Sequence, residues 1–299
     1  MIGELSALTA SVLWSISPYI FSSIVTRIGS FNLNISRLLI SSFLMFFTCI
    51  LLQITLSTNV NQLFFLVLSG IVGLVLGDTF LFKSLKEIGP RYTMILMSSN
   101  PAFGAIIAYF AFNEQIPLVG ILGMIITFVG ICLVVYQQNG KEKAKYNITH
   151  KGIIFGLLSS LGQAGGLILT KYAFFIDNIH PLSATFYRIF PSFLVLTFIG
   201  ILSKRINTKL LTHLYNRKIL FLLVLGSIIG PYLGITFSYI AVTNTQIGIA
   251  ATLMSLQPVL MLPISRYLQK ERFSIQSIVG AFLSVIGIAL LFLKDLFLS

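Results

Sequence analysis

Apolar runs of about 20 residues, the length a helix needs to cross a bilayer, recur along the chain between short polar joints. Read at helical spacing, they predict ten helices, near residues 3–24, 35–55, 63–83, 92–112, 117–136, 152–175, 183–203, 219–241, 246–268 and 274–293. The first run is interrupted by Pro18, and 152–175 is rich in glycine and serine. Two joints are longer, "QQNGKEKAKYNITHK" (137–151) and "KRINTKLLTHLYNRK" (204–218). The first divides the chain into a five-helix unit at 1–136, a basic linker at 137–151 and a second five-helix unit at 152–299. Neither joint is long enough to build a water-soluble domain.

Composition sharpens this pattern. The chain of 299 residues is 56% hydrophobic and 9% charged, whereas a soluble domain carries roughly 25% charged residues. So few charges cannot clothe a water-facing surface. The fold class read from the sequence is an all-α integral membrane protein. The formal net charge of +12 does not point to nucleic acid, because no basic helix or basic patch interleaved with aromatics is present. Its lysines and arginines fall in alternate joints: Arg27; Lys83, Lys86 and Arg91; Lys141, Lys143, Lys145 and Lys151; the 204–218 joint; and Arg266, Lys270 and Arg272. The other side holds only Lys171 and Lys294. The positive-inside rule then predicts a multi-pass protein of the plasma membrane with both termini outside. The sequon Asn147-Ile-Thr149 falls on the cytoplasmic side and is read as chance.

Several chemistries have no foothold. No Walker motif or Ser/His/Asp arrangement appears, and His150, His180 and His213 lack metal-ligand spacing. No enzyme, cofactor or metal is expected. Cys49 and Cys132 lie within apolar runs and read as small core hydrophobes. The N-terminal run lacks the basic region of a signal peptide and carries Glu4, so it reads as a retained helix.

The two units are copies of one plan. With an offset of 157, "GLVLGDTFLFKSL" (73–85) meets "GPYLGITFSYIAV" (230–242). The same offset brings Gly77 onto Gly234, Asn100 onto Gln257, Pro101 onto Pro258, Glu114 onto Glu271, Gly123 onto Gly280 and Gly130 onto Gly287. Near the front of each unit an offset of 151 brings Arg37 onto Arg188. Because five is odd, the second unit must cross the membrane in the opposite sense. An inverted repeat is the architecture of many secondary transporters, with the site near the midplane between the repeats.

Pro101 and Pro258 interrupt helices at corresponding mid-membrane positions and free backbone carbonyls. Freed backbone in hydrocarbon is tolerated only against protein or a wet cavity. Asn100 and Gln257 offer donors and acceptors at the same depth, either to line a cavity or to bond a neighbouring helix. Asp78 is the only acidic residue deep in a predicted helix. It either marks an ion or proton pathway or, with Lys83 five residues on, reaches the interface. Arg37 and Arg188 either snorkel near helix starts or belong to two gates on opposite faces. Gly73, Gly77, Gly226, Gly230 and Gly234 form small-residue ridges for helix packing. Trp14, Tyr19, Tyr187, Tyr232 and Tyr239 are aromatic candidates for stacking on an organic solute, with Trp14 favoured because it lies mid-helix. Glu114 and Glu271 read as interfacial.

Taken in order, Trp14, Arg37 and Arg188, the GxxxG…F helices, the pairs Pro101/Glu114 and Pro258/Glu271, and the glycine-bearing fifth and tenth helices resemble the EamA type of the drug/metabolite transporter superfamily. The resemblance covers essentially the whole chain. It implies movement of small organic metabolites, amino-acid-like or drug-like, by alternating access through a central cavity. The alternatives are a passive channel or facilitator, or a membrane scaffold. The partners implied are a small-molecule substrate, the lipid bilayer and a coupling proton or ion, with the chain a monomer or weak dimer. Two departures make the cavity asymmetric: Gln163 stands where the first unit has Trp14, and Pro231 and Tyr232 stand where it has Leu74 and Val75. Within this frame Asn100, Gln257, Trp14, Tyr232 and Gln163 are the expected substrate-binding residues. Asp78, Arg37 and Arg188 are the expected gating or coupling residues.

Overall fold

The computed structural model describes residues 1–56, 58–112, 118–136, 148–204, 216–245, 249, 253–269 and 274–292. Most of the 137–151 linker, both glutamates Glu114 and Glu271, and the side chain of Tyr239 lie outside the described residues.

Among the described residues the chain is a bundle of ten helical crossings. The first, α1, is Ile2–Ile28 and α2 is Ser30–Leu51. Next, α3 runs from Val60 through a π-helical turn at Ile71–Gly77 and on to Gly89. There the left-handed glycine (φ 79) followed by Pro90 reverses the chain into α4. After a break at Ser98–Ser99, α4 resumes as Asn100–Phe112. The first half closes with α5 at Leu118–Tyr136. The second half repeats this: α6 is His150–Ile176 and α7 is Pro181–Leu202. Its third helix, α8, runs from Arg217 through a π-helical turn at Ile228–Gly234 to Asn244. A break at Ser255–Leu256 precedes Gln257–Gln269 of α9, and α10 is Ile275–Phe292.

Two boundaries near the N-terminus move. α1 continues through Pro18 to Ile28. α2 begins at Ser30, so Gly29 (φ 81) alone joins the two helices and Arg27 lies in the last turn of α1. The polar start "SFNLN" had no place in an apolar run, yet in the folded chain it is helix. Cys49 is buried as expected, but Cys132 is exposed on the outer face of α5 beside Ile125, Val129 and Leu133.

The bundle is apolar outside and small and polar inside. Phe43, Leu51, Phe64, Phe110, Phe198 and Phe221 face outward, while Ser11, Ser15, Ser69, Ser99, Ser160 and Ser284 are fully buried. Hydrocarbon solvates leucine as well as a protein core does, so helices associate through close packing and hydrogen bonds instead. Many buried hydroxyls bond the carbonyl one turn back, as Ser15 does to Ser11 at 2.7 Å.

Glycine contacts establish the sense of the repeat. A Cβ on Gly130 would strike the Gly280 carbonyl and the Ser284 nitrogen, and one on Gly287 would strike the Gly123 carbonyl and the Thr127 side chain. The order along α5 is thus reversed along α10, so these equivalent helices are antiparallel and the repeat is inverted. The other contacts exchange in pairs. α3 packs on α6 as α8 packs on α1, α4 on α6 as α9 on α1, and α3 on α7 as α8 on α2. α2 pairs with α7, its own counterpart.

The α5–α10 seam has no room for a side chain. Gly130→Val should destabilise the protein by about 1–3 kcal/mol through overpacking. Gly104→Ala, with no neighbouring atom within 4 Å of an added Cβ, should leave the thermal unfolding midpoint in detergent unchanged.

Candidate functional site

Each π-helical turn presents a backbone carbonyl toward the middle of the bundle, that of Gly73 also accepting from the Asp78 N–H. Each is met by a side chain from the opposite half. Trp14 Nε1 of α1 donates to the Gly230 carbonyl at 3.2 Å. Gln163 Nε2 of α6 donates to the Gly73 carbonyl, also at 3.2 Å. The two residues that break the sequence symmetry therefore do the same structural work. The approach is close because the facing positions are small. Gly73 and Gly77 of α3 lie against Gly166 and Gly162 of α6, and Gly230 of α8 lies against Ser17 of α1.

Between these turns lies a cavity of about 320 Å³, within the range of small-molecule sites. Its lining comes in symmetry-related pairs: Trp14 and Gln163, Arg37 and Arg188, Leu74 and Pro231, Asp78 and Ile235, Leu81 and Ser238, Asn100 and Gln257. α5 and α10 supply none of the lining residues. Asn100 and Gln257 reach it because the breaks at 98–99 and 255–256 fall immediately before them. Pro101 and Pro258 follow as second residues of the resumed helices, where a missing N–H costs little. The helices break at 98–99 and 255–256, before the prolines and not at them.

Asp78 does not reach the interface. It is 2% exposed, and both its oxygens are engaged. Oδ2 pairs with Arg37 Nη2, and Oδ1 accepts from Gln163 Nε2 at 2.5 Å. Asn34, fully buried, completes the cluster. Its Oδ1 accepts from Arg37 at 3.3 Å, and its Nδ2 donates to the Leu74 carbonyl at 2.8 Å and to Thr79 at 3.2 Å. Arg37 also lies over the Phe82 ring, 5.1 Å from its centroid. A buried ion pair needs its remaining groups bonded to offset desolvation; Asn34 and Gln163 supply bonds to Arg37 Nη2 and Asp78 Oδ1, while Arg37 Nε has no hydrogen-bond partner among the described residues. Neither arginine snorkels to an interface: Arg37 and Arg188 are 6% and 8% exposed, and both line the one cavity.

Three aromatic candidates lie elsewhere. The Tyr232 hydroxyl shares a 2.6 Å hydrogen bond with Thr48, between α8 and α2, packed near Met45 and Cys49. Tyr19 donates to the Met261 carbonyl at 3.3 Å, and Tyr187 to the Leu56 carbonyl at 2.5 Å. Each of the three is held by a neighbouring segment. Asn34 escaped the sequence reading because it sits in the polar start of α2. Its spacing of three from Arg37, one helical face, was the available signal. Among the described residues no cluster of His, Cys, Asp or Glu could hold a metal ion.

Comparison with known proteins agrees with this arrangement. A family model described as the EamA-like transporter family matches residues 1–136 and 150–293, as two copies. A solved crystal structure aligns over 99% of this chain and 98% of its own, with a TM-score of 0.70 and 15% identity, a likeness of fold. No curated protein matches the chain.

The buried pair makes a stability prediction. Asp78→Asn and Arg37→Gln should each cost about 3–5 kcal/mol by stranding the partner. The double change Arg37→Met with Asp78→Leu should cost less than either alone, as read by thermal unfolding in detergent. Trp14→Phe should cost about 1–3 kcal/mol by removing the bond to the Gly230 carbonyl. Gln163→Leu should cost more, because it also takes a donor from the buried Asp78 carboxylate.

Proposed function

The chain belongs to the EamA-like transporter family, a membrane transporter of the drug/metabolite type, and from that premise we propose that it is a secondary transporter of small organic metabolites. In this reading alternating access carries solute through the central cavity. One observation carries the proposal: a cavity walled in large part by symmetry-related pairs from two inverted halves. Inverted halves can exchange conformations, so one fold supplies both an inward-open and an outward-open state. Helix breaks beside Asn100 and Gln257 give α4 and α9 points at which to bend.

The roles follow the geometry. Asn100 and Gln257 hydrogen-bond the solute, and the ring of Trp14 packs on it while its N–H stays on Gly230. The Arg37–Asp78 pair ties α2 to α3, and its breaking and making is the proposed coupling or gating step. The basic joints support a reading in which both termini lie outside the plasma membrane.

Counterflow in proteoliposomes tests this. A saturable exchange of labelled for unlabelled solute is expected, reduced about tenfold or more by Asn100→Ala or Gln257→Ala through lost polar contacts in a dry site. Non-saturable flux without counterflow would replace the carrier with a passive pore. Full exchange in both variants would sink the assignment of the two amides.

A further inference from the structure

The cavity is symmetric in position and asymmetric in charge. In the first half Arg37 Nη2 meets both the Asp78 carboxylate and the Asn34 amide oxygen, while its Nε has no hydrogen-bond partner among the described residues. In the second half none of the counterparts gives Arg188 such a bond among the described residues. Ile235 stands where the acid would be. Thr185 replaces Asn34 and turns its hydroxyl back to the Pro181 carbonyl at 2.9 Å. Trp14, a donor only, replaces Gln163.

What survives of the cluster is Arg188. It is 8% exposed and lines the cavity, and its guanidinium has no hydrogen bond or ion pair among the described residues. Its Nη2 lies over Gly73, 3.4 Å from where a Cβ would stand, with Gln163 Oε1 3.6 Å from the same point. The guanidinium tip is thus at the cavity wall. Asp78 acts on it through its charge, while the bonds to its two oxygens are made by Arg37 and Gln163. A buried guanidinium stays charged, and a buried charge with no bonded acceptor is costly even within the field of a nearby acid. Arg188 therefore has room for a bonded carboxylate, at the place that Asp78 defines in the first half.

We propose that this carboxylate belongs to the substrate: the transported solute is an organic monocarboxylate whose acid group pairs with Arg188. This rests on the transporter reading above and names its substrate class. Planar guanidinium and carboxylate match as a two-bond fork. The remainder of the solute is apolar, because the wall beyond Arg188 is Trp14, Phe21, Leu81, Leu167 and Ile189. The amides Asn100 and Gln257 meet its polar atoms at the level of the helix breaks.

Two measurements on the purified full chain test this. The first needs no ligand. Ile235→Asp gives Arg188 the acid that Arg37 already has. It should unfold at a higher temperature than Ile235→Asn, and that advantage should vanish when Arg188→Gln is added. An Asp no better than Asn with Arg188 present would overturn the proposal. The second is calorimetric binding of a panel of aromatic and aliphatic monocarboxylates, phenylacetate among them, each beside its neutral amide. Acids should bind at least about tenfold more tightly than amides, the loss expected when a buried charge keeps no partner. Arg188→Gln should erase that difference, and Ile235→Asp should weaken the acids by filling their place. Equal binding of acid and amide, no acid binding, or chloride or phosphate competing as well as the acids would each overturn it. Counterflow of neutral solutes alone would sink the carboxylate and leave the transporter standing. Acid binding through Arg188 without counterflow of any solute would do the reverse.

Discussion

Backbone hydrogen bonding in hydrocarbon is the constraint on which the rest of this structure depends. An N–H or C=O left bare in lipid costs several kcal/mol, so the chain is helix almost wherever it is apolar. Departures from the α-helix occur at matched places: π-helical turns in α3 and α8, and breaks in α4 and α9. All of them border the cavity or face a donor from the other half. Trp14 and Gln163 satisfy the turn carbonyls, and the breaks open beside Asn100 and Gln257. Irregular backbone has been concentrated where protein and polar side chains can attend to it.

The same constraint explains why the halves fit together. With no hydrophobic force between helices in lipid, association falls to close contact. Glycine meets glycine where α3 crosses α6 and where α5 runs beside α10, and serines fill the interior. Large apolar side chains are mostly turned outward, the reverse of a soluble core. Charge follows a second logic. One half bonds its arginine to a carboxylate and an amide, and the other leaves Arg188 without a bonded acid among the described residues.

Much of this was legible in the residue order. Helix number and the odd count per half followed from run lengths, and the offset of 157 brought Asn100 onto Gln257 and one glycine-rich turn onto the other. What escaped shares one cause: it depends on which residues meet, and hydropathy windows average that away. Asn34 and its neighbours were left outside α2 because they are polar, although burial of their amides in a network makes them helix. Lys83 suggested a wet Asp78, but the carboxylate is turned inward to Arg37. Tyr232 looked like a cavity residue from its place after Pro231, yet it bonds Thr48. Gln163 read as a break in symmetry, and only the positions of the turn carbonyls reveal it as the functional twin of Trp14.

That twin carries a consequence for how the molecule can be observed. Trp14 is the chain's only tryptophan, and it stands on the cavity wall with its indole N–H tied to the Gly230 carbonyl. Indole emission is therefore a single-site signal that originates where solute would lie. Its wavelength depends on water at the cavity and on the integrity of one hydrogen bond at the α1–α8 crossing. The unlabelled protein thus contains its own optical reporter, placed by the fold at the junction of its two halves.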